Sequence, residues 1–175
     1  IDGKKSMVFN GGNAELLIVP ARTGGKQRDA DGISLFAVPV ATDGITVRRY
    51  PTVDGHQAAD IDFESVRIDQ AALLGDVGKA LETLDAVMDE ATLAVCAEAV
   101  GIMQVLKDKT VAYSKERVQF GVPIGSFQAL QHRMVDMLTD FEQSQSLLMW
   151  ATIVNAEGGE EAKRAVSSIK YQIGT

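Results

Sequence analysis

The chain has 175 residues, 46% hydrophobic and 23% charged, with a formal net charge of −7 at pH 7. That is enough apolar material to bury a sizeable core in one or two domains, and the acidic balance excludes a nucleic-acid face, which needs a basic stripe to neutralise phosphates. A single cysteine, Cys96, excludes a disulfide framework and points to a reducing compartment, and no apolar run nears the roughly 18 to 20 residues of a membrane span.

From Ile1 to about Leu74 the apolar period is two. Residues 6–10, 14–19, 34–38, 45–50 and 59–64 are short apolar or alternating runs, separated by Asn10-Gly11-Gly12-Asn13, Gly24-Gly25, Asp31-Gly32, Asp43-Gly44 and Asp54-Gly55. Such spacing predicts antiparallel strands of a small sandwich or barrel, with polar 24–31 as a flexible hairpin tip. Gly75-Asp76-Val77-Gly78 reads as a linker. Residues 1–75 are then part of a β-domain, and 76–175 are a helical bundle.

Beyond Gly78 the period becomes 3.6. Leu81, Leu84, Met88, Ala91, Val95, Ile102 and Leu106 mark one face of a helix over 79–117, and Val87, Ala94, Ala97 and Gly101 mark a second, small-residue face. A helix buried on both faces is the centre of a bundle, with Cys96 as an inert buried thiol. Gly121, Pro123 and Ser126 punctuate a sharp turn, Ser126 as the next N-cap. Phe127, Leu130, Met134, Leu138, Phe141, Leu148 and Ala151 then repeat the pattern to Glu157, Gly158-Gly159 interrupts it, and 160–171 begin a third helix. The fold class is therefore α+β and multi-domain: an antiparallel β-segment followed by an up-down bundle. The absence of an initiating Met at Ile1, and a helical pattern still running at Thr175, read as both ends of a piece cut from a longer polypeptide.

His132 and Asp136, four apart on the second helix, lack further metal-ligand residues nearby, so no metal is expected. His56 sits in a turn without a visible partner. No Gly-x-Gly-x-x-Gly, phosphate-cradling Walker loop or Gly-x-Ser-x-Gly is present, so neither a Rossmann site nor a hydrolase elbow is supported.

Tyr113, Arg117, Phe120, Gly121, Phe127 and Gln128 carry the strongest signal. Their spacing resembles the Tyr…Arg-x-x-Phe-Gly…Phe-Gln signature in the C-terminal helical domain of the acyl-CoA dehydrogenase family. The resemblance implies that Arg117 and Phe120 cross a dimer interface to the FAD of a neighbouring subunit, Arg117 at the pyrophosphate and Phe120 at the flavin region, with Gln128 nearby. A guanidinium fork suits a diphosphate in two-point geometry. Gly3-Lys-Lys-Ser-Met-Val-Phe-Asn-Gly11 resembles the family's Gly-x-Lys-x-Trp-Ile-Thr-Asn-Gly strand, which puts Met7, Val8 and Phe9 at the flavin edge. Phe9 stands where the family has Thr, so backbone groups replace a hydroxyl there. Phe63-Glu-Ser-Val66 and Leu74-Gly75 are similar to the passage that ends the family's β-domain, with Ile68-Asp69 in place of Val-Pro.

The resemblance implies an FAD-dependent α,β-dehydrogenation of an acyl-CoA thioester, a four-helix C-terminal bundle, an electron-transferring flavoprotein as acceptor, and a homodimer, a tetramer or a hetero-oligomer. It also implies a cytoplasmic or mitochondrial-matrix location. In most members the Glu base lies after the point where this chain stops. In a minority it precedes a Gly-Leu-Met-Gln-like passage by ten residues; Gly101-Ile-Met-Gln104 matches that passage and puts Ala91 at the base and Thr92 at its Arg, with Glu90 one residue out of register. No catalytic residue is assigned. The alternatives are a non-catalytic subunit that completes the flavin site of an active partner, and a flavoprotein oxidase on the same scaffold.

Overall fold

The computed structural model describes residues 1–174, in two compact units: Ile1–Leu84 and a second from Asp85 onward. The first unit holds six strands: β1 (Gly3–Phe9), β2 (Leu16–Arg22), β3 (Ile33–Pro39), β4 (Ile45–Pro51), β5 (Gln57–Phe63) and β6 (Leu73–Leu74). They form two antiparallel sheets, ordered β1-β5-β4 and β2-β3-β6. Alternation decides the packing. Leu17 and Val19 from one sheet meet Ala59, Ile61 and Phe63 from the other, with Val38 and Val66 completing a buried core.

Two features of this unit depart from the sequence reading. The 24–31 segment, expected as a flexible tip, is closed around Arg22, whose guanidinium donates to the carbonyls of Gly24, Asp29 and Asp31 at 2.9 to 3.2 Å. Lys79 adds an ion pair to Asp31 at 2.9 Å. Strand β6 went unforeseen, because two residues carry no period.

The second unit contains α1 (Leu81–Glu116, which begins in the first unit), a small hairpin of β7 (Val118–Gln119) and β8 (Val122–Pro123), then α2 (Gln128–Glu157) and α3 (Gly159–Gly174). At about 1.5 Å per residue, the 36 residues of α1 span roughly 54 Å. It starts two residues later than the periodicity suggests, because Gly78 is left-handed and the Ala80 amide donates to Ile33 of β3. Leu93 and Cys96 of α1, Ala151 and Val154 of α2, and Ala162, Ala165, Val166 and Ile169 of α3 build one core. Burial pushes the Cys96 thiol up.

The face of α1 predicted to be buried is not. Met88, Val95, Ile102 and Leu106 are exposed, as is Val87 of the small-residue face. The buried stripe is Leu93, Cys96, Val100 and Ser114. An apolar helix carries several candidate stripes, and contacts decide which is covered. Leu93, Cys96 and Val100 hold three-four spacing as well as the predicted set. On α2 the expected Phe141 and Ala151 are buried, whereas Phe127 and Leu138 of the same expected stripe are exposed.

Candidate functional site

The reversal between α1 and α2 is a hairpin, whereas Gly121 and Pro123 suggested a plain helix stop. Arg117 directly follows α1, its amide donating to the Tyr113 carbonyl at 2.9 Å and its own carbonyl accepting from the Ile124 amide at 2.8 Å. Val118 pairs with Pro123 and Gln119 with Val122, leaving Phe120-Gly121 as a two-residue turn. Both turn residues have positive φ, +53° and +82°, as a type I′ turn requires. Such turns favour Asn-Gly; a bulky aromatic in the left-handed region costs about 1 kcal/mol or more and persists only where its surroundings hold it.

The surroundings do hold it. Gly125 sits so close to the end of α1 that a Cβ there meets the Ser114 carbonyl and hydroxyl oxygens at 3.0 Å. Gln131 Nε2 donates to the Gly125 carbonyl at 2.9 Å, and the Ser126 hydroxyl donates to the Pro123 carbonyl at 2.7 Å. Ser126 therefore fastens the turn instead of capping α2; Phe127 takes the N-cap position with no side-chain cap. The product is a hydrogen-bonded corner with its tip bare. Phe120 is 93% exposed and packs only edge-on against Phe127, with centroids 6.3 Å apart. Arg117 and Gln128, the latter on the first residue of α2, are also exposed. Among the described residues the Arg117 guanidinium meets no hydrogen-bond or ion-pair partner.

The second predicted group lies on β1 of the first unit. Met7 and Phe9 are exposed, while Val8 turns inward against the sandwich core. The register slips between Lys5 and Val8, and Met7 has φ +52°. This β-bulge is what presents Met7 outward. The sequence reading missed Asp60, whose carboxylate accepts from Arg48, Tyr50 and the Met7 amide. Alternating acids at Asp60 and Asp62 beside Arg48-Arg49 were the only available signal.

The domain described as "Acyl-CoA dehydrogenase, middle domain" matches residues 1–69, and "Acyl-CoA dehydrogenase, C-terminal domain" matches residues 81–175. The chain belongs to the acyl-CoA dehydrogenase family. It is 37% identical over 154 residues to the probable acyl-CoA dehydrogenase YngJ of Bacillus subtilis (strain 168), covering 86% of this chain and 40% of that protein. Among solved structures it resembles butyryl-CoA dehydrogenase from Megasphaera elsdenii at a TM-score of 0.80 and 29% identity, covering 98% of this chain and 47% of that one. A chain in the structure of the electron transferring flavoprotein of Acidaminococcus fermentans matches at a TM-score of 0.84 and 30% identity, over 98% and 46%. This chain therefore spans less than half the length of each of these family relatives. The family is one of flavoproteins and oxidoreductases.

Glu90, the out-of-register carboxylate, is exposed on α1, as are His132 and Asp136 on α2. Among the described residues, no three His, Cys, Asp or Glu side chains gather as metal ligands, and no helix is long and apolar enough to cross a membrane.

Proposed function

We propose that this chain is part of an FAD-dependent acyl-CoA dehydrogenase, with 1–75 contributing to its middle β-domain and 76–175 to its helical domain. In this reading the corner at Arg117, Phe120 and Gln128 contacts the FAD of a neighbouring subunit. One observation carries it: an almost fully exposed aromatic ring, held in a strained conformation on a hydrogen-bonded hairpin, stands three residues from a guanidinium that has no partner among the described residues. Exposed strain on a stiff support is a mark of function.

The residues fit the cofactor. A fork of donors suits a diphosphate, and a bare ring suits an aromatic heterocycle. Arg117 holds the anionic linker, Phe120 shields the ring region from water, and exposed Met7 and Phe9 line the flavin edge, with backbone groups serving where Phe9 replaces a hydroxyl; Val8, the third residue of that strand, turns its side chain into the sandwich core. Bound flavin supplies an acceptor for the β-hydrogen as hydride. Removal of the α-proton needs a carboxylate in a dry setting, where desolvation raises its pKa. Exposed Glu90 does not meet that requirement, and no base is assigned here. The exposed apolar face of α1, Met88, Val95, Ile102 and Leu106, suits coverage by further helices or subunits of a homodimer or tetramer. An electron-transferring flavoprotein is the acceptor in this reading.

The second reading is a non-catalytic subunit that completes a partner's flavin site. Phe9 in place of Thr favours it, as does Thr92, whose hydroxyl donates to the Met88 carbonyl at 2.7 Å where the minority of members has an Arg. The full-length protein separates the two. A flavin absorbance spectrum bleached by acyl-CoA thioesters supports the dehydrogenase; flavin retained only with a partner supports the subunit, and peroxide release in air points to an oxidase.

A further inference from the structure

On β1, Ser6 and Met7 together face a single residue of β5, Asp60, because Lys5 pairs with Ile61 and Val8 already pairs with Ala59. The extra residue is absorbed by Met7 at φ +52°, which a side-chain-bearing residue adopts only under external hold. Asp60 supplies that hold. Its Oδ1 accepts from the Met7 amide at 3.3 Å and from the Tyr50 hydroxyl at 3.1 Å. Its Oδ2 accepts from Arg48 Nη2 at 2.5 Å and lies 3.8 Å from Lys4 Nζ. Arg48 stands directly across the ladder from Asp60, with Tyr50 two places along on the same face of β4. One carboxylate thus ties β1, β4 and β5 together at the position of the bulge.

We propose that Asp60 is a positioning residue for the flavin: by pinning the left-handed bulge at Met7 it fixes where Met7 and Phe9 are presented. This rests on the reading of β1 as the flavin-edge strand. A simple cross-strand ion pair between Arg48 and Asp60 needs no bond to β1, and a bulge without a pin places its exposed residues loosely. The Asp60 side chain is only 14% exposed, although Arg48 and the Met7 amide that meet it lie at the surface. The Arg48 contact also holds its carboxyl below the usual carboxylate range, so it stays an acceptor at neutral pH.

The test uses the complete flavin-loaded protein and Asp60→Ala. The Met7 amide is expected to exchange with solvent at least tenfold faster, while the amides of Val19 and Val38 keep their rates. The flavin absorbance maximum and its reduction midpoint are expected to shift. Should Asp60→Ala fail to fold, Asp60→Asn, which keeps an acceptor but discards the charge, carries the same two readouts with smaller changes. Unchanged Met7 exchange overturns the pin and leaves the flavin-edge reading standing. Faster exchange with an unmoved spectrum and midpoint overturns the flavin-edge reading itself, and the positioning role with it.

Discussion

The rings of Phe120 and Phe127 meet edge to face, with centroids 6.3 Å apart and planes crossing at 78°. The contact steadies a residue whose backbone is strained and whose side chain is otherwise bare. Stability and function therefore pull in opposite directions here. Phe120→Asn, which tolerates the left-handed region, is expected to raise the stability of the whole protein by about 1 kcal/mol. Flavin occupancy after dialysis is expected to fall. Unchanged occupancy with higher stability makes Phe120 a structural accident.

Arg117→Ala is expected to weaken FAD binding by roughly 2 to 3 kcal/mol, the loss typical of a charge-assisted two-point contact. Arg117→Lys recovers only part of it, since an ammonium lacks the planar fork. Titration of the apo-protein with FAD measures both, and equal affinities across the three proteins refute the assignment.

Glu90→Gln is expected to leave α-proton exchange of a bound acyl-CoA largely intact. The side chain is exposed, and one residue out of register on a helix is a rotation of about 100°. Loss of exchange with flavin still bound makes Glu90 the base.

The carboxyls of Asp60 and Asp54 both lie below the usual range, the first chiefly through Arg48 and the second chiefly through the Thr52 hydroxyl. A depressed folded pKa means the unfolded chain takes up the proton first as pH falls. Their contribution is complete above the unfolded value of about 3.9 and is lost as pH drops through the lower folded values. Thermal unfolding midpoints are expected to stay level from pH 7 to about 5 and to decline below about 4, less steeply in Asp60→Asn. An identical decline in the variant removes Asp60 from the linkage.

Ser144 is fully buried on α2, and among the described residues its hydroxyl has no hydrogen-bond partner. Ser144→Ala removes a desolvated polar atom and is expected to stabilise the protein by about 1 kcal/mol, read from urea unfolding. Destabilisation instead reveals a partner for the hydroxyl in the assembled protein.

The sandwich was legible because Leu17 with Val19, and Ile61 with Phe63, alternate cleanly, and the bundle was legible because α2 runs through Phe141 and Ala151 at helical spacing. The covered stripe of α1 was not, since a helix with apolar residues on several sides does not declare which side is packed. The hairpin escaped notice because its strands have two residues each and its turn is Phe-Gly instead of Asn-Gly. Asp60 escaped for a related reason: the bulge it serves is marked by Met7, where a glycine would have advertised a left-handed backbone. Arg117, Phe120 and Gln128 are singled out only by family resemblance, and the sequence holds no hint of the strain that sets Phe120 apart.

Strand β2 lies at the margin of its sheet with Pro20 near its centre. A residue's N–H and C=O project to the same side of a strand, and the Pro20 carbonyl points away from β3, where Lys5 Nζ donates to it at 2.9 Å. The outward position thus offers a newcomer neither a donor, which proline lacks, nor an open acceptor, which the ammonium occupies. A stray strand from another molecule finds the row broken at its midpoint, so this rim resists edge-to-edge aggregation while the chain is being made and assembled.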